Sequence, residues 1–256
     1  MRRLFIYLYL SLSMTLFSSL AWASASTGFK VAVASNFVST LKKLRMDYEH
    51  RTGKTFSISQ ASTGKLYAQI IHGAPYDIFF SADSRRPALL VRQGLAYEPA
   101  VYAQGQLMLI TRKGPGDLCN EDIDQVLLKK RFKKLAIANP KTAPYGIAAE
   151  QFINAHGKWN ELSRQLVRGE NVLQAFHFVT SGNADAGLIA KSLLIDFQNS
   201  RRYCQWQVPR QLYQPVKQEM VVLKSTKKRQ LVQSFYDYMK SADAKAIIKK
   251  SGYFVE

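Results

Sequence analysis

Four short stretches of this chain have the residue types to hold a small anion. They are Ser35-Asn36, Ser62-Thr63-Gly64, Pro144-Tyr145-Gly146 and Gly169-Glu170-Asn171-Val172. The first three follow an apolar run that reads as a buried strand, the fourth follows a basic stretch, and all four precede a helix-like period. A helix N-terminus carries unpaired N–H groups and about half a positive charge. Several such ends aimed at one point bind an anion without any charged side chain. Each turn taken singly also reads as plain capping, since Ser, Thr and Asn are the preferred N-caps. The pattern alone does not make the four converge.

Other chemistries fit less well. Ser62-Thr63-Gly64-Lys65 is similar to the end of a phosphate-binding loop, but Ser59 stands where that motif needs glycine and Leu66 where it needs Ser or Thr. Nucleotide hydrolysis is excluded there, and Lys65 reads as a solvated helix residue able to attract an anion. His50, His72, His156 and His177 show no zinc-ligand spacing, and no G-x-S-x-G elbow occurs. A secreted hydrolase is the weaker alternative. The basic runs Lys129–Lys134 and Lys224–Arg229 read as solvated faces, not as a nucleic-acid surface.

The elements that must position the four turns follow from periodicity. Phe29–Ala34, Thr55–Ser59, Asp77–Ser81, Leu107–Thr111, Leu135–Ala138, Ala186–Ala190 and Gln218–Leu223 read as strands. Helices are expected from Phe37 to a stop at Gly53, from Leu66, over Arg85–Gln93, from about Ile147, over Val172–Val179 and over Leu231–Met239. Strand, turn and helix repeat three times in the first part of this order, which predicts an α/β sheet of parallel strands with crossover helices. Ligands of such sheets sit outside the carboxyl ends of the strands.

The chain has 256 residues with 36 Lys+Arg against 18 Asp+Glu, a formal net charge of +18, and 47% hydrophobic residues. That is enough for one large domain or two small ones with a substantial core, and it excludes a disordered polyelectrolyte. Met1-Arg2-Arg3, an apolar run to Leu20 and the small-residue exit around Ala21–Ala25 predict a cleaved signal peptide over residues 1–25. Its removal takes Arg2 and Arg3 and lowers the charge by two, to +16. Export sets an oxidising compartment, in which Cys119 and Cys204 are either a disulfide or two buried thiols.

The strings Val31–Phe37, Ala61–Ile70, Gly73–Asp83, Ile137–Pro140 with Ala143–Gly146, Gly169–Val172 and Ser181–Gly187, in this order from about residue 29 to 256, resemble the periplasmic molybdate-binding protein of molybdate ABC transporters. The resemblance implies a type II periplasmic-binding-protein fold: two α/β lobes joined by two crossover strands, with an oxyanion in the cleft. It implies lobe I over 27–104 plus 215–256 and lobe II over 105–214. It further implies a periplasmic monomer that binds molybdate or tungstate, uses no cofactor or metal beyond the oxyanion, performs no catalysis and serves the membrane permease of an ABC transporter. Carried over position by position, the ligand set is Ser35 through hydroxyl and N–H, Asn36 beside it, Thr63 from the second turn, and the N–H groups of Tyr145 and Val172; Ser62 is the weaker choice in its turn. Some members present a tyrosine hydroxyl where this chain has Ala190. Asn36 is the expected substitute, and sulfate and phosphate stay open as alternative ligands.

The donor set suits a fully ionised tetrahedral dianion, which has four acceptor oxygens and no proton to give. A site for hydrogen phosphate would want a buried acceptor, and none of the candidate residues is Asp or Glu. Asp77 and Asp83 read as capping or structural groups.

Overall fold

The computed structural model describes residues 28–255 apart from 115, 130 and 131. The expected signal peptide over 1–25, and Lys130 and Arg131 of one basic run, lie outside the described residues. Apolar strands alternate with helices as β1 Phe29–Ala34, α1 Val38–Thr52, β2 Phe56–Ala61, α2 Thr63–Ile71, β3 Ile78–Ser81, α3 Arg85–Arg92 and β4 Ala100–Gly105. The chain continues as β5 Leu107–Arg112, α4 Ile123–Lys129, β6 Leu135–Ala138, α5 Pro144–Ala155, α6 Trp159–Leu162, β7 Leu166–Gly169, α7 Val172–Thr180, β8 Ala186–Ala190, α8 Lys191–Ile195 and β9 Tyr203–Gln207. It returns as β10 Val216–Val222, α9 Arg229–Tyr238 and α10 Ala242–Lys250.

Two five-stranded sheets result, ordered β2-β1-β3-β10-β4 and β7-β6-β8-β5-β9, each flanked by helices as an α/β lobe. Their plans match: three parallel strands, then an antiparallel neighbour, then an edge strand. The sheets are mixed, not purely parallel as expected, because β10 and β5 adjoin the points where the chain changes lobes and therefore run against their neighbours. Those changes occur at Gln106, between β4 and β5, and over 208–215, between β9 and β10.

The central strands are buried on both faces, as the four buried residues of β3 and of β6 show, and so read as continuous apolar runs. Phe29, Phe56, Phe80 and Phe235 pack the first lobe; Phe152, Leu109 and Ile137 belong to the core of the second. Each lobe thus has its own core, and the cleft lies between them. Cys119 and Cys204 are bonded, with Cα atoms 4.8 Å apart. The bond ties the 117–120 loop to edge strand β9 and closes a long stretch of lobe II, which disfavours the unfolded chain.

Three helix starts differ from expectation. α2 begins at Thr63, three residues before Leu66, because Ser62 leaves β2 in extended conformation (φ −66°, ψ 149°) and its hydroxyl accepts the Lys65 N–H. α5 begins at Pro144 in place of Ile147, proline being suited to the first helical position. α9 begins two residues early, at Arg229. Strands β4, β7 and β9 were not expected: β7 and β9 are short and interrupted by charged or polar residues, so neither period stands out.

Candidate functional site

In each sheet two adjacent parallel strands end side by side and feed a helix. β1 and β2 lead into α1 and α2, and β6 and β7 into α5 and α7. The two pairs face each other across the cleft, so four helix N-termini meet. Ser35, Asn36, Thr63, Tyr145 and Val172 all line one small, tightly closed cavity there, as does Ser62. All five expected residues are nearly fully buried, the most exposed at 3%. Ala190 does not line the cavity.

Each residue's hydrogen bonds decide what it can offer. The Ser35 N–H donates to Ala61 O at 3.0 Å, so only its hydroxyl is open to the cavity. This corrects the expectation that both groups face the ligand: parallel pairing of β1 with β2 carries on one residue past the strand end. The Asn36 side chain is also engaged, donating to Gln218 Oε1 at 2.9 Å and Tyr253 Oη at 3.1 Å. The group Asn36 leaves open is therefore its N–H, for which no acceptor exists among the described residues. The Thr63 hydroxyl accepts the Ala82 N–H at 3.1 Å, which leaves its own proton free to point inward. The N–H groups of Tyr145 and Val172 sit in the first turns of α5 and α7 and have no acceptor among the described residues. Pro144 has no N–H, so Tyr145 is the first donor of α5.

The electrostatics are unusual for an anion site in so basic a chain. No Asp, Glu, Lys, Arg or His lines the cavity. None of the four helices carries an acidic residue in its first turn, so their positive ends are not compensated by the protein. Burial pushes the Tyr145 hydroxyl well above the ordinary tyrosine range, so the site keeps one protonation state at neutral pH. What the arrangement offers is at least five donors and no charged acceptor.

The lobes touch around this cavity. Gly64 N–H donates to Thr142 O at 2.9 Å, and a Cβ on Gly64 would stand 2.9 Å from that oxygen. Only glycine lets the two backbones approach so closely. Lys65 pairs with Glu170, and Ser39 and Lys43 both meet Asp196 across the cleft. Lys65 thus reaches the opposite lobe and not the cavity. Asp77 and Asp83 are structural: Asp77 accepts the Lys30 N–H at 2.7 Å, and Asp83 accepts the Arg86 N–H at 3.0 Å at the start of α3. Sequence reasoning missed the layer beneath the cavity, made of Tyr102, Gln218, Tyr253 and Ser192. Its one available signal was the buried polar pair Gln218-Glu219 just before the apolar end of β10.

The chain matches the family model described as bacterial extracellular solute-binding protein over residues 29–254. It is 38% identical over 236 residues to the molybdate-binding protein ModA of Azotobacter vinelandii, covering 91% of this chain and 92% of that one. It is 34% identical over 246 residues to that of Rhodobacter capsulatus, covering 95% of each. The fold superimposes on the solved periplasmic molybdate-binding protein of Azotobacter vinelandii with a TM-score of 0.82 at 36% identity, covering 89% of this chain and 99% of that one.

Proposed function

The chain belongs to the bacterial extracellular solute-binding proteins, and from that premise we propose that it binds molybdate in the periplasm and delivers it to the permease of an ABC transporter. It is a binding protein, not an enzyme. The ligand set we assign is Ser35 Oγ, Thr63 Oγ1 and the N–H groups of Asn36, Tyr145 and Val172, with lobe I over 27–104 plus 215–256 and lobe II over 105–214. Export by a cleaved leader over residues 1–25 and action as a monomer belong to the same reading, as does tungstate as a second ligand.

The observation that carries it is the meeting of five buried donors, from four helix starts, in one cavity with no carboxylate. A proton-free dianion satisfies every donor and is repelled by nothing. Each hydrogen bond to a charged oxygen is worth about 1.5–3 kcal/mol, and five support tight binding after desolvation and ordering are subtracted. Donors from both lobes are satisfied together only when the cleft is shut, so the ion favours the closed form a permease can read.

A thermal-shift panel of molybdate, tungstate, sulfate, phosphate and chromate on the mature protein tests this. At 100-fold excess over Kd, a ligand adds about 2.7 kcal/mol of stability, a rise of roughly 5–10 °C at this size. Molybdate and tungstate should produce it and phosphate should not. A larger rise with sulfate than with molybdate would reassign the ligand, and no rise with any of the five would refute the site.

A further inference from the structure

Strand β10 is interior to its sheet, yet it carries Gln218 at 0% exposure. A buried amide there breaks the local rule for a central strand, and such breaks concentrate at functional positions. Its surroundings are built for it. Gln218 faces Ala103 while Glu219 faces Val101, so Tyr102 is the extra residue of a β-bulge in β4; bulges re-aim side chains beside binding sites. Gln218 Oε1 accepts from Tyr102 Oη and from Asn36 Nδ2, each at 2.9 Å.

The other end of the same amide faces Tyr145, whose hydroxyl it acts on as a side-chain donor. Gln218 Nε2 and Tyr145 Oη are both buried, and neither makes a well-formed hydrogen bond. A Cβ on Gly105 would stand 2.7 Å from the first and 2.0 Å from the second. The two groups therefore meet at the one position of β4 that has no side chain. Tyr145 comes from lobe II, and its N–H lines the cavity while its hydroxyl reaches the lobe-crossing strands.

We propose that Gln218 is a positioning residue of the oxyanion site: its Oε1 holds the Asn36 side chain, and hence the Asn36 N–H, in line with the ligand, and its Nε2 donates to the Tyr145 hydroxyl across the joined lobes. Donor alignment in lobe I and seating of the lobe II donor are then one event at the hinge. This rests on the molybdate reading above, and the test separates the two.

Calorimetry with molybdate on Gln218→Met, Asn36→Ala, the double variant and Tyr145→Phe decides it. Q218M should weaken binding about tenfold, the loss of one well-placed hydrogen bond. Its ligand-free melting temperature should fall by only a few degrees, because one Asn36 N–H loses its acceptor while the other keeps Tyr253 Oη at 3.1 Å and Tyr102 Oη keeps Ser81 O at 3.1 Å. In the N36A background Q218M should cost little more than its effect through Tyr145, so the Asn36 share of the two losses should not add. Y145F keeps the ring and the N–H; it should bind several-fold more weakly with an unchanged or higher ligand-free melting temperature, since a buried hydroxyl without a well-formed hydrogen bond is removed. Y145F also serves if Q218M does not fold. Parent-like affinity in Q218M or Y145F, or fully additive losses in the double variant, overturns the proposal. A parent protein that ignores molybdate overturns the ligand assignment instead.

Discussion

Lobe I reaches the cavity with the hydroxyls of Ser35 and Thr63 together with the Asn36 N–H, whereas the donors assigned to lobe II are the N–H groups of Tyr145 and Val172. The cause is local. Ser62 is the only residue between β2 and α2, so a side chain of the first helical turn still lies at the strand end. In lobe II a proline occupies the first helical position of α5, which removes one N–H and leaves the next as the sole donor of that turn. Lobe I's contribution depends on side-chain identity, and lobe II's on backbone course. Substitutions should therefore act on the two halves by different rules.

The largest effect is expected at Thr63. Thr63→Ala removes a cavity donor and also the acceptor of the Ala82 N–H. Molybdate affinity should fall more than tenfold, and the ligand-free protein should lose about 1–3 kcal/mol from the orphaned amide. Ser35→Ala should weaken binding about tenfold with no change in ligand-free stability, because the Ser35 hydroxyl has no partner among the described residues. Calorimetry and thermal melts on both variants separate the two; equal stability loss in each would erase the distinction.

The backbone half is probed by Val172→Pro. Val172 is the first residue of α7, and Asn171 before it is extended at φ −151° and ψ 173°, a conformation that proline accepts in its predecessor. The helix should persist while one donor disappears, and affinity should drop several-fold to about tenfold. Unchanged affinity in a folded V172P would leave lobe II with Tyr145 alone.

The smallest effect belongs to the rim. Lys65→Ala should weaken binding about twofold, more at low salt, and Glu170→Gln should act in the opposite direction by freeing the Lys65 charge. Exposed pairs are worth roughly 0–1 kcal/mol and are screened by salt. A salt titration of both variants that shows no divergence would remove electrostatic steering from the rim.

A second contrast sharpens the point. The chain carries a formal +18, and a larger cavity behind β4 and β10 is lined by Arg210, Lys217, Lys240 and Lys245. The small central cavity has no such residue. Diffuse positive charge draws anions of any shape, whereas fixed, buried dipoles select by geometry and by the absence of a proton. The tyrosines beneath the site follow the same logic. Burial raises Tyr102, Tyr145 and Tyr253 above their ordinary value of 10.0, so the layer stays neutral at physiological pH.

Much of the site was legible because it is written in short stretches. A hydroxyl or small residue between an apolar strand and a helix is a local signal, and Ser35, Thr63, Tyr145 and Val172 each carry it. The mixed character of the sheets was not, because pairing direction depends on where the chain changes lobes. Strands β7 and β9 escaped because edge strands lack a continuous apolar run.

The amino-acid sequence alone determined the kind of donor available at each turn and the lack of a carboxylate among them, since both are properties of residue type. Tertiary structure alone decided that the four turns share one cavity, that the Ser35 N–H is engaged while its hydroxyl is open, and that the Asn36 amide belongs to Gln218. The physical reason is that a hydrogen-bonding group is free or engaged only relative to its neighbours, and the decisive neighbour of Asn36 lies 182 residues away along the chain.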